Sequence, residues 1–296
     1  MRILLAYDGT EGARIALESL DRAGLPADAE ALVYCVADVL IPPQGAAPPA
    51  KAPGDANGVI QDAREIAEAG AAMLRRLHTG FEVSADAVAD QPAWAIIKRA
   101  EGITKRGWSA DLVILGEAGR SALGRFFVGS VAHHVLTNVC RSVRITRKGH
   151  VSAGLKLLLA VDGSPDAEAM VREVGRRNWP AGCEIRVLTA VQPDANPTGR
   201  SNADGAGAGP TEESNAKAVE DLRAAGLSAA GVIEEGDAIR TILEDAEDYK
   251  PDCIFLGARG LTRVQRFVLG TVSTSVAMRA ICTVEVVHPP EQPAAV

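Results

Sequence analysis

Short apolar runs separated by longer amphipathic stretches set the rhythm of this chain. In the first half they are ILLAY, ALVYCV, LVIL and SVRIT; in the second, LKLLLAV, EIRVLTAV, CIFL and TVEVV. Near-continuous apolar or β-branched runs of this length fit strands of a parallel sheet covered on both faces. The stretches between them carry helical spacing. In VIQDAREIAEAGAAMLRRL, residues Ile60, Ala63, Ala67, Gly70, Met73, Leu74 and Leu77 fall on one face. Each half reads strand, helix, strand, loop, helix, strand, helix, strand, helix, strand. That alternation predicts an α/β protein built from two tandem doubly wound, Rossmann-like domains.

The pattern is written twice. RILLAYDGT near the start returns as KLLLAVDGS, and DLVILGEAGRSALGRFFVGSV returns as DCIFLGARGLTRVQRFVLGTV. Aligned without gaps from Asp111 to Thr146 against Asp252 to Val287, the copies share 10 identities in 36 pairs. Chance supplies about two or three over that length. The period is too long for a solenoid, so the chain divides into domains 1–149 and 154–290, joined through the polar segment KGHVSA. Asp8 and Asp162 lie 154 apart but Gly116 and Gly257 only 141 apart, so the first copy carries 13 extra residues. Much of that excess lies around the Pro/Ala/Gly stretch Ile41–Gly58, whose counterpart is Gln192–Pro210. Both read as long loops.

Composition narrows the function classes. With 47% apolar and 23% charged residues the chain is an ordinary globular one, and each half is long enough for its own core. The net charge of −7 lacks the basic footprint of a general nucleic-acid binder. No apolar run reaches membrane-spanning length, and the run before Tyr7 is too short for a signal-peptide core. Five cysteines (Cys35, Cys140, Cys183, Cys253, Cys282) without C-x-x-C spacing fit reduced thiols in the cytoplasm.

Ligands of open α/β sheets bind beyond the carboxyl ends of the strands, where strand order reverses. Two such ends are marked in each copy. One is the turn YDGT (Asp8, Gly9), matched by VDGS (Asp162, Gly163). The other is G-x-x-G-x9-G-[ST]: Gly116, Gly119, Gly129 and Ser130, matched by Gly257, Gly260, Gly270 and Thr271. The first two glycines permit a backbone turn. The third, with its hydroxyl neighbour, opens a helix whose free N–H groups favour an anion. Arg120, Arg125, Arg259, Arg263 and Arg266 lie on the intervening segments and could add positive charge. Asp8 and Asp162 have a competing local reading, as N-cap or turn residues. His133 and His134 are adjacent and diverge on a helix, so they are packing residues rather than a metal pair. GAGAG (205–209) lacks dinucleotide-fingerprint spacing and sits in a loop. No Walker, H-E-x-x-H or G-x-S-x-G motif occurs.

On these residues the chain resembles the universal stress protein family, in its tandem form with the ATP-binding glycine signature in both copies. The resemblance implies, in each domain, a five-stranded parallel sheet ordered 3-2-1-4-5. It also implies an ATP site at the strand ends, made in the first domain by Ala6, Asp8, Val36, Gly116, Gly119, Gly129, Ser130 and Val131. In the second domain the corresponding residues are Ala160, Asp162, Val191, Gly257, Gly260, Gly270, Thr271 and Val272. Asp8 and Asp162 would sit beside adenine and ribose, and Val36 and Val191 would contact adenine through their backbones. The third glycine, the hydroxyl and the following amide would hold ribose and phosphates. Any Mg or Mn would be carried by the triphosphate. The second copy has Gly236 between its third strand and helix, as the family usually does, whereas the first has Gln91 and Pro92.

The resulting expectation is a cytoplasmic, nucleotide-dependent stress-response regulator with no assigned catalytic residue and at most weak ATPase activity. A slow ATP hydrolase or phosphotransferase, and a nucleotide-free dimerising scaffold, are the alternatives. In the family the fifth strands of two domains commonly pair across a two-fold axis. Here those strands are SVRIT and TVEVV, which places Val143, Ile145, Val284 and Val286 near an internal pseudo-dimer interface and leaves a further homodimer open. The six residues of KGHVSA span roughly 20 Å when extended.

Overall fold

A computed structural model describes residues 1–38, 56–104, 107–117, 129–148, 154–191, 212–260 and 269–289. Gly119, Arg120, Arg125, Arg263, Arg266, residues 41–55 and 192–210, and most of KGHVSA lie outside them. The first half runs β1 (Arg2–Ala6), α1 (Glu11–Glu18), a 3-10 turn (Ser19–Arg22), β2 (Glu30–Asp38), α2 (Ala56–Leu77) and β3 (Glu82–Asp90). It continues with α3 (Pro92–Ala100), β4 (Leu112–Gly116), α4 (Ser130–Asn138) and β5 (Ser142–Thr146). The second half runs β6 (Lys156–Ala160), α5 (Pro165–Arg176), β7 (Glu184–Val191), α6 (Glu212–Ala224) and β8 (Ser228–Glu235). It ends with α7 (Ala238–Tyr249), β9 (Cys253–Gly257), α8 (Thr271–Arg279) and β10 (Thr283–Val287). No described helix is long and apolar enough to cross a membrane.

The ten strands among the described residues form one sheet, ordered β3-β2-β1-β4-β5-β10-β9-β6-β7-β8. Each half is parallel within itself and has the order 3-2-1-4-5 in its own numbering. The halves meet where β5 and β10 pair antiparallel, in the register Val284↔Ile145, Glu285↔Arg144 and Val286↔Val143. The two halves therefore run in opposite directions, and their strand carboxyl ends lie on opposite edges of the sheet.

Strand alternation gives the joint two unlike faces. On one, Val143, Ile145, Val284 and Val286 join a core shared by both halves, with Val135 and Leu136 of α4 beside Val276 and Ala277 of α8. On the other, α1 and α2 cover the first half and α5 and α6 the second, each pair over its own core. Between those cores lies a buried ionic cluster. Arg144 Nη1 donates to Glu285 Oε2 at 2.9 Å, and Arg177, from the end of α5, donates through Nη1 to Oε2 at 3.1 Å and through Nη2 to Oε1. Arg177 Nη1 also reaches the Ala23 carbonyl of the first half at 3.1 Å. Glu285 is completely buried. Arg22 paired with Asp252 at 2.8 Å, and Arg147 donating to the Ala277 and Cys282 carbonyls, tie the halves further.

Arg144 and Glu285 are equivalent positions of the two copies, and they face each other. Two first halves would set Arg144 against Arg144, and two second halves Glu285 against Glu285. Burying like charges is costly, so each half is complementary to the other and not to itself.

Two local expectations change. On α2 the buried stripe runs through Ala63, Ala67, Ala71 and Leu74, leaving Met73 half-buried and Leu77 52% exposed. Leu77 is the last helical residue and sits on the margin of that stripe, where about half of it remains exposed. Gly116 and Gly257 do not adopt positive φ. Space requires glycine there instead: a Cβ at Gly116 would stand 2.4 Å from the Gly12 carbonyl, and one at Gly257 would stand 2.8 Å from the Ala167 amide nitrogen. These strand ends pack directly on the first turns of α1 and α5.

Breaking the ionic cluster leaves buried charge unpaired, so Glu285→Ala should lower the urea-unfolding free energy by about 3–5 kcal/mol. Burial works to raise the Glu285 carboxyl, but Arg177 and Arg144 outweigh it and hold it below the usual range. Its contribution is present above the ordinary glutamate value, about pH 4.3, and is lost as pH falls through the lower folded value. Wild-type protein should therefore lose stability below about pH 4, and Glu285→Gln should lack that part of the acid dependence. Gly116→Ala, which overpacks β4 against α1, should cost about 1–3 kcal/mol in the same measurement.

Candidate functional site

In each half the first strand lies between the second and fourth, so strand order reverses beside it. The crevice at that point opens between the carboxyl ends of β1 and β4, and again between those of β6 and β9. The DG turns and the glycine segments both start there, which brings together residues more than 90 positions apart.

The two DG turns are built alike. Gly9 and Gly163 take φ of +76° and +77°, a left-handed conformation that glycine adopts without strain. Asp8 Oδ1 accepts from the Thr10 amide at 3.0 Å and the Thr10 hydroxyl at 2.6 Å. Asp162 Oδ1 accepts from the Ser164 amide at 2.9 Å. The helix caps themselves are Thr10 and Ser164, which accept from Ala13 N at 3.4 Å and Ala167 N at 3.2 Å. Each aspartate thus shapes the turn through one oxygen. The second oxygen of Asp162 lies 2.8 Å from where a Cβ on Gly260 would stand, so the DG turn and the glycine segment are in contact. Asp8 is exposed and Asp162 half-buried.

Gly129 and Gly270 are the N-caps of α4 and α8. Both are extended (φ −62°, ψ 157° and φ −63°, ψ 146°), and neither supplies a side-chain cap. The first intrahelical bonds run from His133 N to Gly129 O and from Thr274 N to Gly270 O. The amides of Ser130 and Val131, and of Thr271 and Val272, therefore have no acceptor within their helices, and they stand at the positive end of the helix dipole. Gly270 N donates to Ala258 O at 2.8 Å, folding the start of α8 back onto the end of β9. Ser273 Oγ donates to Gly257 O at 2.6 Å. Ala6, Val36, Val131, Ala160 and Val272 are half-buried and packed on the shared core, at the strand ends and first helix turns.

Two candidates stand differently from expectation. Arg259 is ion-paired rather than open to a ligand: its Nε reaches Asp166 Oδ2 at 2.9 Å and its backbone amide the same oxygen at 3.1 Å. Val191 is not the counterpart of Val36. Ala6 pairs with Tyr34 and Ala160 with Leu188, so Val36 corresponds to Ala190. The side chains of Val36 and Val191 consequently project from opposite faces of the sheet. The Val191 carbonyl accepts from Gly236 N at 2.9 Å.

Beyond the third strand the halves diverge: Gln91 precedes Pro92 at the start of α3, while Asp237 caps α7 by accepting from Arg240 N at 3.0 Å. His133 and His134 are exposed, and His134 meets Trp94 edge-on with 5.5 Å between centroids. No cluster of metal-ligating side chains occurs among the described residues. Burial and the Arg259 charge push the His288 imidazole, at the end of β10, down to about 4. Sequence reasoning overlooked Ser164, Asp166 and Ser273. A hydroxyl directly before a helix signals the first; nothing local signals the other two. A separate cavity of about 210 Å³ lies between α5 and α6, lined by Val161, Gly163, Val171 and Lys217 among others. It includes none of Gly257, Gly260 or Gly270.

The chain is similar over 97% of its length to a universal stress protein from Archaeoglobus fulgidus DSM 4304, with 23% identity, 98% of that chain covered and a TM-score of 0.68. A functionally unknown protein from Pseudomonas aeruginosa PAO1 aligns over 97% of this chain and 92% of its own, with 19% identity and a TM-score of 0.58. A universal stress protein in complex with cAMP matches 47% of this chain and 99% of its own, with 23% identity and a TM-score of 0.36. No curated protein matches the chain. The profile of the universal stress protein family matches residues 1–147 and again 155–288. The chain belongs to the universal stress protein family, as two tandem copies of its domain.

Proposed function

We propose that each half, residues 1–149 and 154–290, binds one ATP at its strand-end crevice, and that the protein acts as a nucleotide-dependent stress-response regulator in the cytoplasm. One observation carries this reading: in both halves a helix N-terminus without a side-chain cap closes onto the crevice where strand order reverses. A helix capped only by glycine leaves its first amides for an external anion. The triphosphate would lie against the amides of Ser130 and Val131 in the first half and of Thr271 and Val272 in the second. Adenine and ribose would rest at the strand ends, near Ala6 and Val36 or Ala160 and the end of β7, with Asp8 or Asp162 beside the sugar. Gly119 completes the first glycine segment in sequence, as Gly260 does the second. Mg or Mn, when present, travels with the phosphates.

The regulatory role follows from what the crevice offers chemically. Phosphoryl transfer needs a positioned nucleophile together with cationic stabilisation of the transferred group. Asp8 and Asp162 are engaged in their turns, and Arg259 in its pair with Asp166. ATP is therefore read as a signal: a ligand that shifts the protein between states by binding one of them better. The cytoplasmic assignment is supported by the five free cysteines, four of them buried. Further self-association would use surfaces other than β5 and β10, which already pair within the chain.

Calorimetric titration of wild-type protein with Mg-ATP should give two equivalents. Gly129→Asp or Gly270→Asp should each remove one, and the double variant should weaken binding at least a hundredfold, about 2.7 kcal/mol. Aspartate is a favourable N-cap, so it stabilises the helix while its carboxylate occupies the phosphate position. The far-ultraviolet circular dichroism should stay unchanged. ATP affinity that survives in the folded double variant would overturn the site. Steady ATP turnover should lie orders of magnitude below the roughly 1–1,000 per second of typical enzymes; brisk turnover abolished by Gly270→Asp would replace the regulator reading with an ATPase.

A further inference from the structure

We infer that the two halves are unequal ligand sites, the second holding nucleotide more tightly than the first because Asp166 and Ser273, which have no polar counterpart in the first, brace the phosphate-facing backbone together with Ser164. The inference rests on the ATP reading above. In the second half, five successive backbone groups from Gly257 to Arg259 are bonded internally. Gly257 O accepts from Ser273 Oγ at 2.6 Å, and Ala258 N donates to Val287 O at 3.0 Å. Ala258 O accepts from Gly270 N at 2.8 Å, and Arg259 N donates to Asp166 Oδ2 at 3.1 Å. Arg259 O accepts from Ser164 Oγ at 3.2 Å. The Arg259 side chain doubles the hold on Asp166 through Nε at 2.9 Å, and Asp166 is itself buried. The next group along the chain is the amide of Gly260, directly beside Asp162.

The first half cannot build this brace. Ala132 stands where Ser273 does and carries no hydroxyl to offer the Gly116 carbonyl. Gly12 stands where Asp166 does, and a side chain there would strike the Glu117 carbonyl at 2.3 Å. Ala118 replaces Arg259 in the sequence. Thr10, the counterpart of Ser164, spends its single hydroxyl proton on Asp8 Oδ1 at 2.6 Å. What both halves share is the strand-end bond, Glu117 N to Thr146 O at 2.9 Å in the first. A backbone already held in its liganded position loses less freedom on binding, and that difference appears directly as affinity. Asp166, Ser273 and Ser164 are thus positioning residues, acting through the backbone they hold.

The test is calorimetric titration of the full chain with Mg-ATP. Wild-type protein should show two classes of site at least tenfold apart in dissociation constant. Gly270→Asp should remove the tight class and Gly129→Asp the weak one. Asp166→Ala combined with Ser273→Ala, which gives the second half the alanine of the first and no carboxylate, should bring the tight class to within about threefold of the weak one. The weak class should not move, which separates a local brace from general destabilisation. Arg259→Lys keeps the backbone bond and the positive charge and should retain most of the tight affinity. Arg259→Ala removes only a partly exposed side chain and should give an intermediate loss; it serves if the double variant fails to fold. Two equal sites, a tight class lost in Gly129→Asp, or a brace variant that weakens both classes alike would overturn the inference while leaving the ATP reading intact. No binding by wild-type protein would overturn both.

Discussion

The buried cluster of Arg144, Glu285 and Arg177 governs the arrangement of the molecule. A sheet edge is a surface that recruits whatever strand is offered, and β5 and β10 are offered to each other by a single chain. Their apolar face supplies most of the association, but apolar contact alone does not choose between a partner half and a copy of the same half. The charge pair makes that choice, because Arg144 and Glu285 occupy the same position in the two copies and only the mixed pairing neutralises both. Arg177, whose own charge is balanced by Glu173 at 3.2 Å, adds a second cation to Glu285 and carries the contact to the helix layer of the first half. Antiparallel pairing has a functional consequence. The crevices open on opposite edges of one sheet, so two ligands would not touch, and any communication between them must pass through the joint.

Glycine serves three different physical needs within each crevice. At Gly9 and Gly163 it allows a left-handed backbone in the turn. At Gly116 and Gly257 it allows a helix to approach a strand end more closely than any side chain would permit. At Gly129 and Gly270 it leaves a helix start without a cap of its own. The repeated glycine pattern therefore meets packing needs as well as those of a helix start, and its last member leaves the first helix amides without a side-chain cap. The copies differ in the side chains beside that segment: Ser273 and Asp166, which hold the backbone after β9, stand where the first half has Ala132 and Gly12.

Much of this architecture was legible in the sequence because its determinants are local and periodic. Eight apolar runs marked eight of the strands, the internal repeat marked the two halves, and the family resemblance pointed to SVRIT and TVEVV as the strands that join them. The remainder depends on partners distant along the chain. Arg144 and Glu285 look like solvent-facing residues of amphipathic edge strands until the strands are paired and α5 is laid across them. Asp166 reads as an ordinary acid in the first turn of a helix, and Arg259 as a loop cation; only folding brings them together across 93 positions. The offset between Val36 and Val191 escaped notice because a long loop follows each strand, and where the strand stops does not identify its register. Leu77 satisfied the helical period but lies beyond the surface that period was meant to cover.

The central claim is that the first turns of α4 and α8 are the anion-holding elements of both halves. Amide-resolved nuclear magnetic resonance of the full chain during titration with Mg-ATP addresses it most directly. The account predicts the largest shift changes at Ser130, Val131, Thr271 and Val272, accompanied by the turns at Asp8 and Asp162. Changes confined to another surface, such as the cavity between α5 and α6, with the first turns of α4 and α8 silent, would contradict it.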